Sequence, residues 1–100
     1  MKVKVPDKIH VGAYEFDIVQ VPDMARDYKF LGQAHVDNEV IRINQDSKYR
    51  VKYVTLWHEI CHAVCDTLRM DLDEASIDRL GQGLGAILMN DFGIELEWDE

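Results

Sequence analysis

Two prolines and two cysteines in 100 residues leave this chain without Pro-rich linkers and without the material for a disulfide framework. Cys61 and Cys65 lie four apart in one helical run, where their Cβ vectors are parallel and a disulfide would be strained, so reduced, buried thiols are expected. No stretch approaches the roughly 20 apolar residues of a membrane span. The N-terminus, Met1-Lys2-Val3-Lys4-Val5-Pro6-Asp7, lacks the apolar centre of a signal peptide, and a cytoplasmic protein is expected. Basic residues are also short, 11 Lys and Arg against 19 Asp and Glu for a formal net charge of −8. That balance argues against nucleic acid or an anionic membrane as partner, since both need a basic patch. The single basic cluster, Lys48, Arg50 and Lys52, reads as the solvated start of a helix. What remains, 47% hydrophobic and 30% charged with no repeat, suits one globular domain over residues 1–100 with a modest core.

Against that background one stretch carries chemistry. Thr55-Leu56-Trp57-His58-Glu59-Ile60-Cys61-His62-Ala63-Val64-Cys65-Asp66 contains His-Glu-x-x-His inside a run that reads as helix. Helical residues four apart stand one above the other with Cβ atoms about 5–6 Å apart, so His58 and His62 aim two imidazoles at one point. Zinc, with Zn–N bonds of about 2.0–2.1 Å, fits such a pair. Glu59 leaves the helix about 100° round the axis, which suits a general base that takes a proton from metal-bound water rather than a ligand.

The rest of the chain reads as scaffold. Residues 8–21 form a hairpin turning at Gly12-Ala13, with Tyr14, Phe16 and Ile18 alternating against Glu15 and Asp17. Residues 22–30 are a polar connection that Tyr28 and Phe30 anchor to the core. A second hairpin spans 31–44 around Asp37-Asn38-Glu39, whose Asn and Asp tolerate positive φ. A long helix, capped by Asp46 or Ser47, then runs to Leu68 or Arg69, with Val51, Val54, His58, Cys61, His62 and Cys65 on one covered stripe and Trp57, Ile60, Val64 and Leu68 on another. Asp71 and Glu74 resemble a capping box for a helix over 72–91, whose apolar face is Ile77, Leu80, Leu84, Ile87 and Leu88 and whose stop is Gly93. Gly81, Gly83 and Gly85 point to close approach of the preceding helix. Residues 94–100 add a short strand or stay loose. The expected fold is α+β, a small antiparallel sheet of two hairpins with one face covered by the long helix and the second helix beside it.

A catalytic zinc usually has three protein ligands plus water. Glu74 and Asp78 share a stripe with Gly81 and Gly85, which brings both acids toward the histidines. Counting back from a turn near residue 70 or 71 puts Asp78 level with His62, so Asp78 is the favoured third ligand and Glu74 the alternative. Asp66 or a cysteine is a further option, and Asp66 also suits a partner orienting an imidazole.

These residues resemble the zincin metallopeptidases. His58-Glu59-Ile60-Cys61-His62 looks like the active helix of the thermolysin-like gluzincins, and Glu74-Ala75-Ser76-Ile77-Asp78 resembles their Glu-x-x-x-Asp segment. That likeness would make Glu74 the ligand and Asp78 its supporting partner. Size and element order, ending in Ala86-Ile87-Leu88-Met89, look more like the compact ImmA/IrrE-type peptidases of phages and mobile elements, in which the acidic ligand falls on Asp78, with Asp where that family usually has Glu. The resemblance implies a Zn²⁺-dependent peptidase acting on a peptide or protein, such as a phage or mobile-element regulator. Strand addition along a sheet edge such as Val40–Asn44, just before the active helix, is the expected way for a peptide to dock. The donor that larger zincins supply has no clear counterpart, with Tyr14, Tyr28, Tyr49, Tyr53 and His35 matching by residue type alone. The alternative is a regulatory or binding protein that keeps the metal for structure.

Overall fold

The computed structural model describes residues 1–99 and has an α+β fold. Both hairpins form: β2 (Lys8–Val11) turns into β3 (Tyr14–Val21) at Gly12, φ 58°, and β4 (Gly32–His35) pairs with β5 (Val40–Asn44). In the second loop the residue at positive φ is Glu39, φ 51°, rather than Asp37 or Asn38.

The sheet they build is mixed, not antiparallel as expected. Its order is β2-β3-β5-β4, and β3 runs parallel to β5 with Ile18 opposite Ile41. The cause lies in the connection, which folds into a short helix, α1 (Met24–Tyr28), with Met24 buried. This helix carries the chain past the place that β5 will fill, so β4 is laid at the edge and β5 returns between it and β3. Tyr28 and Phe30 do not anchor that connection; both are exposed.

The long helix, α2 (Tyr49–Thr67), lies on the sheet with Tyr53, Leu56 and Ala63 against Phe16, Ile41 and Ile43. Each of the larger side chains contributes about 1.5–3 kcal/mol by leaving water, so this stripe fixes which way α2 is turned. Val51, Val54 and Leu68, assigned to covered stripes, are instead exposed. Neither expected cap serves α2. Asp46 Oδ2 accepts the Asp23 N–H at 2.8 Å, and Ser47 Oγ accepts from Asn44 Nδ2 at 2.8 Å. Lys48 occupies the N-cap without a side-chain bond.

After a turn with Arg69 at φ 56°, α3 (Glu74–Ala86) starts from Asp73, whose Oδ1 accepts the Ser76 N–H at 2.7 Å. Asp73, not Asp71, is therefore the cap, and hydrogen bonding from Ser76, its side chain first and its N–H second, holds the Asp73 carboxyl below the usual range. The helix widens to a π-helical turn at Ile87–Asp91, short of the single helix expected over 72–91, and Gly93 follows at φ 64°. Ile77, Gly81 and Gly85 face inward, whereas Leu80, Leu84 and Ile87, expected inside, are exposed. A Cβ on Gly81 would fall 2.9 Å from the Cα of His58, so the two helices meet where only glycine fits. The strand β6 (Glu95–Glu97) pairs in parallel with β1 (Lys2–Lys4). Glu100 lies outside the described residues. Among those residues no helix is long and apolar enough to cross a membrane.

Candidate metal centre

The contact of α2 with α3 brings three ligand groups together. Glu74 Oε1 lies 3.0 Å from Nε2 of His58, and Glu74 Oε2 lies 2.9 Å from Nε2 of His62. One ligand atom from each of the three residues falls within 4.8 Å of the others. The imidazole centroids are 4.8 Å apart, as their spacing of one helical turn requires.

The acid that joins the two Nε2 atoms is thus Glu74, the alternative, and not Asp78. Asp78 Oδ1 sits 3.1 Å from Nδ1, the opposite nitrogen of His58, while its Oδ2 accepts Gln82 Nε2 at 2.8 Å. Counting levels along two helices identifies backbone neighbours, and Asp78 is a neighbour of His58. The outward nitrogens, however, lie at the far end of the rings. The carboxylate that reaches both belongs to Glu74, one methylene longer and one turn nearer the start of α3.

These groups suit zinc. Tetrahedral bonds of about 2.0–2.1 Å space ligands roughly 3.3 Å apart; the Glu74 oxygens lie at 3.0 and 2.9 Å from the two Nε2 atoms, and one ligand atom from each residue falls within 4.8 Å of the others. Two imidazole nitrogens and one carboxylate form a hydrolytic donor set. Asp78, on the other nitrogen of His58, fixes that ring as carboxylates do behind ligating histidines. The side chains of His58 and His62 are 18% and 22% exposed against 68% for Glu74, so the centre opens to solvent on the Glu74 side.

Glu59, one residue along α2, is 7% exposed, and burial pushes its carboxyl above the usual range, opposed by the two histidines. It faces β4. A Cβ on Gly32 would lie 2.6 Å from Thr55 Cγ2 and 2.9 Å from Glu59 Cγ, so bare backbone is all that fits against the Glu59 side chain. Sequence reading passed over Gly32 as a site residue. The signal was a glycine in a strand, which marks close approach of something to the backbone.

Strand β4 is also the free edge beside the centre. Leu31 C=O accepts the Asn44 N–H, and pairs of an antiparallel ladder alternate, so the bonded pairs continue at Gln33–Arg42 and His35–Val40. The N–H and C=O groups of Gly32 and Ala34 therefore point outward. Val40–Asn44, the edge expected to take a peptide, is instead enclosed between β3 and β4.

None of the donor candidates reaches the histidines. Tyr53 donates its hydroxyl to Ile94 C=O at 2.9 Å, Tyr49 accepts the Leu96 N–H at 2.8 Å, and Tyr14 and Tyr28 are exposed outside the cavity lining. His35 borders the cavity, but alternation turns it with Gln33 away from α2, and its Nε2 lies 3.4 Å from Gln33 Oε1. Asp66 is exposed. Cys61 and Cys65 are free thiols buried against Ile77, with burial pushing both pKa values up. Among the described residues they join no metal-holding cluster.

From the centre a cavity of about 820 Å³ extends between α2 and the chain leading into β4, lined in part by Phe30, Leu31, Val51 and Val54. Set against protein-family models, curated proteins and solved structures, the chain matches none of them.

Proposed function

We propose that the protein is a zinc-dependent metallopeptidase. The observation that carries this reading is the convergence of His58, His62 and Glu74, one residue along the helix from a buried carboxylate, Glu59. A divalent ion held by those three groups would supply Lewis acidity and lower the pKa of bound water toward about 7. Glu59, its proton affinity raised by burial, takes the proton of the attacking water and returns it to the departing amine. Asp78 keeps the His58 ring in place. The substrate backbone pairs with the outward N–H and C=O groups of Gly32 and Ala34, which sets the scissile carbonyl between β4 and α2. The likeness of His58-Glu59-Ile60-Cys61-His62 and Glu74-Ala75-Ser76-Ile77-Asp78 to zincin motifs supports the same roles.

The test is zinc content by elemental analysis together with hydrolysis of a mixed peptide pool by wild type and Glu59→Gln. Both proteins should carry one zinc, with hydrolysis lowered about 10²–10⁴-fold in the variant. Equal hydrolysis by the two proteins would refute the assignment of Glu59. The lack of a tyrosine or histidine donor at the centre among the described residues favours one second reading, a metal kept for structure in a binding or regulatory protein. Under it, chelation lowers the melting temperature while no peptide is turned over.

A further inference from the structure

The cavity is polarised. Its acids, Glu59, Glu74 and Asp78, gather at the histidine end, and its two lysine or arginine residues are Lys29 and Arg50. In a chain of net charge −8 these two cations are exposed, and no carboxylate pairs with either among the described residues. Arg50 precedes His58 by eight residues, a rise of about 12 Å along α2, or three to four residues of extended peptide at about 3.3 Å each. Between them lies apolar wall. Val54 is one turn from His58, and Val51, Phe30 and Leu31 continue the surface, all four large apolar side chains left exposed. The Leu31 end of β4 belongs at this end of α2, because Leu31 bonds Asn44 and Asn44 leads into the helix at Tyr49.

We infer that the cavity selects a polypeptide segment with a bulky apolar side chain one or two residues from the scissile bond and an Asp or Glu three or four residues from it on the same side. The peptidase reading supplies the position of the scissile bond, while the selection itself rests on the lining. An acidic ligand is repelled by most of this surface, and the Lys29 and Arg50 end is where its charge is matched. The apolar wall takes the side chain that comes before that charge.

The experiment separates binding from cutting. Zinc-loaded Glu59→Gln protein is titrated by fluorescence polarisation with dye-labelled, end-blocked decapeptides that carry Phe or Ala at the apolar position and Glu, Gln or Lys at the charged one. The Phe–Glu peptide should bind about five- to tenfold tighter than Phe–Lys, the reach of two partly exposed ion pairs, and tighter than Ala–Glu. Lys29→Glu with Arg50→Glu should reverse the Glu and Lys order without moving the melting temperature. The preference should fade in 1 M salt, where the screening length is about 3 Å. Equal binding of Glu and Lys peptides, or no binding by any peptide, overturns the inference. Wild-type hydrolysis of the same set is read separately. Selective binding without cleavage would sink the peptidase reading and leave this one standing, whereas cleavage indifferent to charge would do the reverse.

Discussion

A methyl group added at Gly81 tests whether the α2–α3 contact sets the metal centre. The new Cβ would stand 2.9 Å from His58 Cα and 3.0 Å from His58 N, both backbone atoms of a buried helix. To restore an ordinary contact, α3 must back away by about 0.5 Å or more. Gly81→Ala therefore sets an overpacking cost of about 1–3 kcal/mol against a helix-propensity gain of about 1 kcal/mol. The net loss is at most about 2 kcal/mol, or a fall in melting temperature of up to roughly 8–16 °C for a domain of this size. Metal binding should suffer more, because zinc tolerates ligand displacements of only about 0.2 Å and both Glu74 and Asp78 ride on α3. A loss of about 10–100-fold in zinc affinity is expected, the scale seen when groups that orient ligands are disturbed. Gly83 is the internal control, since a Cβ there meets nothing within 4 Å. Gly83→Ala should raise the melting temperature by about 2–8 °C and leave zinc affinity unchanged. Thermal melts of the apo proteins and a competition titration against a chromophoric chelator give both numbers. Zinc affinity in Gly81→Ala equal to wild type, or an equal loss in Gly83→Ala, would refute the reasoning.

The remaining predictions concern the two acids and the thiols. Glu74→Gln should abolish stoichiometric zinc binding at micromolar metal, whereas Asp78→Asn should keep the metal with affinity lowered about 10–100-fold; a chelator titration that reverses this order would return the ligand role to Asp78. Cys61 and Cys65 are buried with raised pKa values, so at pH 8 iodoacetamide should modify neither in the native protein and both after denaturation, as read by intact mass. Rapid labelling of the native protein would refute the burial on which that expectation rests.

Local pattern was legible where local chemistry decides. Gly12 at positive φ, the alternation of Phe16 and Ile18 with charged residues, and the span of α2 all follow from residues within a few positions of each other. The parallel pairing of β3 with β5 did not follow, because it depends on where α1 delivers the chain. Val40-Ile41 and Ile43 did hold a clue. A strand buried on nearly every residue needs neighbours on both sides, so it is a poor edge for a substrate. The two capping errors on α2 share one cause: Asp46 and Ser47 have the right chemistry, but Asp23 and Asn44 take their side chains.

The inward face of α3 shows why the site was only half legible. Leu80, Leu84 and Ile87 fall at helical spacing and look like a core stripe, yet they are exposed while Ile77, Gly81 and Gly85 face α2. Apolar side chains would gain more from burial, but they would hold the helix axes farther apart. The glycines let α3 lie directly against the backbone of His58, and only at that separation do Asp78 and Glu74 reach the two nitrogens of one ring. Both spacings were in the sequence, His58 with His62 and Glu74 with Asp78, each one turn apart. Which acid joins the two Nε2 atoms depended on which ring nitrogen each meets, a property of the packed pair rather than of either helix. The contact is therefore what places the three candidate ligands together. A metal present at about 1,000 times its Kd would add about 4 kcal/mol to the folded state and so favour the close α2–α3 contact on which its own site depends.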